Sequence, residues 1–242
     1  MRENITNTVL YFVPHQDDEL LTFGIDIANS VKEGRDVHVI VCTDGASSNV
    51  RLRLGNREFC TQCGEQHVYD LTREDFTATR DQEFYGSCDA LGVKRENIHM
   101  EDERIVDGQL TVEEAKRIIN KFVNEIGGDC TVCTMYPNPP EIQHKDHMRL
   151  GMAAKELKDE GVIKHLVLME EPYVAIIAEH TEGDEPTLVY APDDIAKQIE
   201  KAVSEYFLWK PQEKRYAVGF HSVPDEMNQL ITEKGLYYHV YE

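Results

Sequence analysis

"YFVPHQDDELLTFG", from Tyr11 to Gly24, decides the fold. The apolar run from Val9 to Val13 has the composition of a buried strand and stops at Pro14. His15, Gln16, Asp17, Asp18 and Glu19 then follow in a row. Apolar residues resume at Leu20 with helical spacing and stop at Gly34, which predicts one helix over 18–34. A strand, an acidic turn and a helix in that order open a strand–helix–strand unit, with polar side chains at the carboxyl end of its strand.

The rest of the chain repeats that alternation. "DVHVIVCTDG" (36–45) reads as a second strand ending in a turn. Residues 46–76 are polar and irregular, which predicts a long loop with a short helical piece. A helix is expected at 79–93, a short strand at 96–100, and a helix at 111–128 with a Thr111/Glu114 start and a Gly127–Gly128 stop. A strand at 130–136, a helix at 146–161 and a strand at 163–169 follow. The expected fold class is therefore α/β, a doubly wound, mostly parallel Rossmann-like sheet. After Glu170 the pattern changes. "YVAIIAEH" (173–180) and "TLVYAP" (187–192), joined by "TEGDEP" (181–186), suggest a hairpin. A helix at 194–210 and an edge strand in "LYYHVYE" (236–242) complete the reading. We expect one domain over 1–242, with a core to 170 and a C-terminal elaboration over 171–242 that shapes the substrate pocket.

The totals narrow the function. A chain of 242 residues can bury roughly 70% of its unfolded surface and needs no staples. Its 25 basic and 45 acidic side chains give a net charge of −20, which argues against nucleic acid and anionic membranes as partners. No apolar stretch approaches the roughly 20 residues of a membrane span, and the N-terminus lacks the shape of a signal peptide. A cytoplasmic protein is expected. Two of its cysteine pairs are spaced C-x-x-C, Cys60/Cys63 and Cys130/Cys133. Cys130 and Cys133 fall on a strand, where residues three apart point to opposite faces. Cys60 and Cys63, in "REFCTQCGEQH", need two more ligands to hold zinc and read as ordinary thiols. Neither pair is expected to hold a structural metal.

The chemistry lies at two strand ends. In a doubly wound sheet, ligands bind at the carboxyl ends of the strands. "HQDDE" follows the first strand, and "HKDH", His144 to His147, follows the strand that ends near Tyr136. A catalytic zinc takes three protein ligands and keeps a position open. His15 and Asp18, three apart across the turn, can face one ion, and His147 supplies a third ligand. Asp17 is left beside the metal as a candidate general base. His144 and Asp146 are candidates for an electrophilic histidine and the carboxylate that orients a histidine. The competing reading makes "DDE" a helix start favoured by capping and by the helix dipole, without chemistry.

"PHQDDE" resembles the HPDDE signature of the PIG-L/LmbE-like zinc N-deacetylases, and "HKDH" resembles that family's HPDH signature. "CTDGAS" is similar to the turn after its second strand, and 79–93 to its R-x-x-E…LG helix. The resemblance covers about the first 170 residues. It implies one Zn2+ ion held by His15, Asp18 and His147, with Asp17 as general base. It gives His144 the oxyanion and Asp146 the orienting of a motif histidine. It adds Arg80 and Asp107 as substrate-binding residues. The implied reaction removes an N-acetyl group from a small substrate of the N-acetylglucosamine or glycoside type. Gln16 and Lys145 replace the proline of each motif, and Ala46 stands where sugar-processing relatives often carry glutamate. The expected partner is a small N-acetylated molecule, with a homo-oligomer permitted and no membrane insertion. Two alternatives differ in class: a non-catalytic metal- or ligand-binding protein of the same fold, and a sugar-nucleotide transferase using magnesium or manganese. Two histidine ligands suit zinc better than those hard cations.

Overall fold

The computed structural model describes residues 5–126, 129–180, 185–233 and 235–241. In chain order the strands are β1 (Thr8–Val13), β2 (Asp36–Thr43), β3 (Ile98–Ile105), β4 (Cys130–Met135), β5 (His165–Glu170), β6 (Thr187–Tyr190), β7 (Trp209–Lys210), β8 (Arg215–Tyr216) and β9 (Gly235–Tyr241). The helices are α1 (Asp18–Leu21), α2 (Gly24–Lys32), α3 (Val50–Leu54), α4 (Arg73–Ala90), α5 (Val112–Ile126), α6 (Lys145–Asp159), α7 (Pro172–Ile177), α8 (Asp193–Tyr206), α9 (Val218–Ser222) and α10 (Pro224–Glu233).

Seven strands form one sheet in the order β3-β2-β1-β4-β5-β9-β6. β1 pairs in parallel with both β2 and β4, and β2–β3 and β4–β5 are parallel too. The chain winds outward from β1 through β2 to β3, then returns to place β4 on the other side of β1. The reversal makes the β1/β4 boundary the switch point, where a crevice opens beyond the strand ends. Both polar motifs leave the sheet at this boundary.

β1 is apolar from Val9 to Val13 because both of its faces are covered there. Val9, Tyr11 and Val13 pack with α2, α4 and α8 in one core, and Leu10 and Phe12 pack with α5 and α6 in the other. Each fully buried side chain of this size contributes roughly 1.5–3 kcal/mol. Cys133 lies in the first core and Cys130 in the second, so these two thiols face opposite sides of β4. α6 presses on the exit of β4: a Cβ on Gly151 would stand 2.4 Å from Met135 O and 2.9 Å from Pro137 N. Only glycine permits this approach, which seats the middle of α6 against the end of β4.

Four local expectations are corrected. The helix expected over 18–34 is two helices that break at Thr22 and Phe23, although the apolar spacing runs on through the break. α4 starts at Arg73 rather than near 79, because Thr72 accepts a hydrogen bond from Asp75 N and caps it there. Residues 173–177 are helical, with Pro172 in the first turn, and β6 pairs with β9 instead. The C-terminal hairpin is β7–β8. β9 is internal, antiparallel to β5 and β6, and leaves β6 as the edge. Residues 181–184 of the expected turn and the Gly127–Gly128 stop lie outside the described residues. The Thr111/Glu114 start is present, with Thr111 N and Oγ1 both donating to Glu114 Oε2.

One pair away from the strand ends predicts a pH effect. His38 and His99 stack 5.2 Å apart, with 2.9 Å between His38 Nδ1 and His99 Nε2. Burial, with His38 and Lys121 nearby, brings His99 down to about 4. A histidine depressed by folding adds stability that is present above its unfolded value and lost as pH falls through the window from about 6.5 to 4. The melting temperature of His99→Phe should therefore fall less steeply than that of the parent between pH 6.5 and 4. Parallel melting curves would contradict this.

Candidate active site

Pro14 follows β1 at the carboxyl end of the strand, where its carbonyl accepts from Thr43 N at 3.1 Å and Thr43 Oγ1 at 2.8 Å. Three residues on, Asp17 adopts φ 119° and ψ −30°, a region that costs a non-glycine residue about 1–3 kcal/mol. The surroundings hold it there. Asp17 N donates to Glu19 Oε2 at 3.0 Å, and Tyr206 of α8 donates to the other oxygen of Glu19 at 2.7 Å. The guanidinium of Arg80 donates to Asp17 Oδ2 at 2.9 Å, to Gly45 O at 2.8 Å and to Gln16 O. Gly45 is required for this clamp. It has φ +62°, and a Cβ there would lie 2.1 Å from Gln16 Oε1 and 2.9 Å from Arg80 Nη1. Gln16, the departure from the proline of the signature, is tied down by its own amide. Gln16 Nε2 donates to Asp81 at 2.7 Å, and Arg104 grips the same carboxylate at 2.7 and 2.8 Å.

His15, Asp18 and His147 come together. His15 Nδ1 and His147 Nε2 are 3.2 Å apart, and each lies 3.3 Å from Asp18 Oδ2. A tetrahedral zinc with bonds of about 2.0–2.2 Å sets its ligand atoms roughly 3.3–3.6 Å apart, so the triangle has the size of one face of such a site. The far ring nitrogens face carboxylates, the kind of group that orients metal-bound histidines. His15 Nε2 lies 3.2 Å from Asp107 and 3.5 Å from Asp146, and His147 Nδ1 lies 3.8 Å from Glu171. The residues present thus fit the ion.

His144 stands at the rim, its ring 4.7 Å from that of His15 and edge-on to it. As the cap of α6 it accepts the Asp146 N–H at Nδ1, which leaves the proton of the neutral ring on Nε2. Asp146 is fully buried and accepts from Gly108 N at 2.7 Å. Asp107 also accepts from Ser47 N at 3.0 Å. The sequence resemblance gave Arg80 and Asp107 to the substrate. The structure places both on the cleft wall, but with Arg80 bonded to Asp17 and Asp107 against His15.

Burial and charge pull these groups in different directions. Burial raises Asp17 to about 6, opposed by Arg80 and assisted by Asp18. Burial also acts to raise Asp18, yet His147 and His15 hold it well below the carboxylate range. Burial disfavours the His15 cation, but Asp107, Asp146 and Asp18 hold it well above an ordinary imidazole. His147 is raised by Asp18 against the same burial penalty. His144, with burial and the two other histidines against its charge, falls to about 4 and is neutral at pH 7. Burial raises Glu171 to about 7.

The triangle sits at the floor of a cleft of about 1180 Å³. Arg53 and Lys145 reach its wall from the first two thirds of the chain, and Tyr173, Ser222 and Glu226 from the last third. Ala46 packs instead in a small apolar cluster with Val50, Leu54 and Phe76. Glu171 went unnoticed in the sequence, although it follows β5 directly and the strand-end rule points to it. The Gln16–Asp81–Arg104 chain carries no local signal.

No curated protein matches this chain. Among solved structures, the chain is similar to a deacetylase of the teicoplanin biosynthesis pathway, with 18% identity and a TM-score of 0.64 over 97% of this chain and 99% of that one. It is similar to N,N'-diacetylchitobiose deacetylase from Pyrococcus horikoshii, at 17% identity and TM-score 0.63 over 97% and 84%. A hydratase of 4-carboxy-2-hydroxymuconate from Pseudomonas putida shares the fold at 14% identity and TM-score 0.53 over 97% and 95%. The family model described as GlcNAc-PI de-N-acetylase matches residues 10–158, which contain both motifs and the three residues of the triangle. With that span covering more than half of its length, the chain belongs to the PIG-L family of GlcNAc-PI de-N-acetylases.

Proposed function

We propose that the protein is a zinc-dependent N-deacetylase that hydrolyses the acetamide of an N-acetylglucosamine-type sugar or glycoside. The observation that carries this reading is Asp17: a buried carboxylate in a strained backbone, held by Arg80 beside a ligand triangle it does not join. A site built only to store a metal has no use for it. His15, Asp18 and His147 would hold the ion. When bound, zinc supplies a Lewis acid that polarises the acetamide carbonyl and acidifies water. Asp17 takes the proton of the attacking water as the new C–O bond forms. His144 donates its Nε2–H to the carbonyl oxygen as negative charge develops there, and it does so as a neutral ring. Asp17 then returns the proton to the nitrogen as the C–N bond breaks, leaving acetate and a free amine. Asp107 and Asp146 orient His15, and the open cleft receives the sugar.

The test is amine release from N-acetylglucosamine, its glycosides and simple N-acetyl amides. Release is expected with zinc, and none after chelation. A folded, zinc-loaded protein that binds a sugar but frees no amine from any of them would make it a binding protein of this fold.

Arg80 allows a sharper check. If it positions and charges Asp17, Arg80→Gln removes the cation that lowers the Asp17 pKa. The base is active only when ionised, so the acid limb of kcat/KM should move to higher pH, by about 1 unit or more. An arginine that only grips substrate would instead raise KM and leave the limb in place.

A further inference from the structure

A second group of metal-type ligands lies outside the catalytic triangle. In "CTQCGEQH" the main chain doubles back: Gly64, at φ +74°, donates its N–H to Cys60 O at 3.0 Å, and Cys60 N donates to Glu65 O at 2.9 Å. The turn leaves both thiols on one side. His67 follows as the chain returns, and its N–H donates to Glu58 O at 2.9 Å. His221 arrives from α9, near the other end of the chain. One ligand atom from each of Cys60, Cys63, His67 and His221 lies within 4.8 Å of all the others, and Cys63 Sγ is 3.3 Å from His67 Nε2. The ligand atoms of a tetrahedral Cys2His2 zinc stand roughly 3.3–3.8 Å apart, so a small contraction closes the set.

The ring nitrogens are already assigned. His67 Nδ1 meets Arg53 O at 3.2 Å, and His221 Nδ1 meets Ala217 O at 2.8 Å. Carbonyl partners place the protons on Nδ1 and leave both Nε2 lone pairs free for a metal, as in histidine ligands generally. His221 is 3% exposed, and its Nε2 has no hydrogen-bond partner among the described residues. A buried, unpartnered acceptor of this kind calls for a ligand. Both histidines are held from behind. Trp209 stacks on His67 at 5.3 Å, and Glu83 fixes the start of α9 by accepting Val218 N at 2.7 Å and Gly219 N at 3.0 Å.

We infer that Cys60, Cys63, His67 and His221 form a structural zinc site that clasps the 55–70 loop to α9. Two thiol protons leave as the metal binds, and two thiolates with two neutral imidazoles make an uncharged Cys2His2 centre. Its four ligands are all protein side chains, so the site is closed and carries no chemistry of its own. It braces the cleft through Arg53, whose carbonyl bonds His67, whose guanidinium bonds His221 O, and whose side chain lines the cleft. The C-x2-C pair was visible in the sequence. Its missing ligands were His67, four residues on, and a histidine that only the fold brings near.

Cobalt substitution of the full-length protein tests this without relying on activity. The catalytic triangle contains no sulfur, so an intense thiolate-to-cobalt charge-transfer band can come only from a cysteine-bound ion. The band is expected in the parent, retained in His15→Ala, and lost in Cys63→Ser and His221→Ala. A thiol-blocking mercurial should release one zinc per chain from the native protein. The inference is overturned if the folded, cobalt-loaded parent shows no such band. It is also overturned if Cys60 and Cys63 react with a thiol reagent as fast in the zinc-loaded as in the chelated protein, or if they form a disulfide under conditions that leave zinc content unchanged.

Discussion

Asp17→Asn is expected to keep its zinc and to lose about 10²–10⁴-fold in kcat, the range that general-base catalysis supplies. Asparagine retains an oxygen to accept from Arg80 and fits the same space, so the turn should survive. It cannot take a proton. A purely structural aspartate predicts a different outcome: a stability loss of about 0.5–2 kcal/mol and unchanged turnover. The structure already weakens that alternative, because Asp17 occupies the cap position of α1 and its side chain makes no capping hydrogen bond. Its carboxylate is turned to Arg80 instead. Measuring kcat, bound zinc and melting temperature together separates the two, and near-parental turnover in a folded, zinc-loaded Asp17→Asn protein would sink the mechanism.

What the sequence could show follows from the range of each interaction. The alternation of β1, β2, β4 and β5 with helices is written locally, because strands buried on both faces must be apolar and end at turn residues. The two motifs could be placed near each other because both follow strands, and the strand-end rule needs no coordinates. The break at Thr22–Phe23 was hidden because Leu20, Leu21, Phe23 and Ile25 are all buried and keep helical spacing through it. α7 was hidden because Val174, Ile176 and Ile177 favour strands, a weak preference that Pro172 and the local packing override. Arg80 is the instructive residue within the site. Its position in the motif suggested substrate, but its bonds to Asp17, Gln16 and Gly45 depend on how α4 crosses the turn, and no local pattern encodes that crossing. Asp107 facing His15 and His221 facing Cys63 are contacts of the same long-range kind.

Asp18→Asn should fail in a different way from Asp17→Asn, because it removes the anionic member of the triangle. Asp18 Oδ2 accepts from His15 N at 2.9 Å and lies 3.3 Å from one nitrogen of each histidine, so a single oxygen holds the three groups together. Without a metal, this carboxylate sustains part of the raised pKa of His15 and of His147. With a metal bound as proposed, it would supply the only formal negative charge among the three residues of the triangle. Asparagine offers a neutral oxygen, or turns an N–H toward an imidazole nitrogen. Loss of a partner outside the ligand shell typically costs 10–100-fold in metal affinity, so loss of a charged ligand should cost more than about 100-fold. Glu171→Gln, which alters only the carboxylate behind His147, should fall within the smaller range. Dialysis should therefore strip catalytic zinc from Asp18→Asn but not from Asp17→Asn. Added zinc should restore part of the turnover of Asp18→Asn and none of that of Asp17→Asn. Zinc content measured after dialysis, set beside turnover against added zinc, reads both effects. Full zinc retention with parental activity in Asp18→Asn would remove Asp18 from the ligand set.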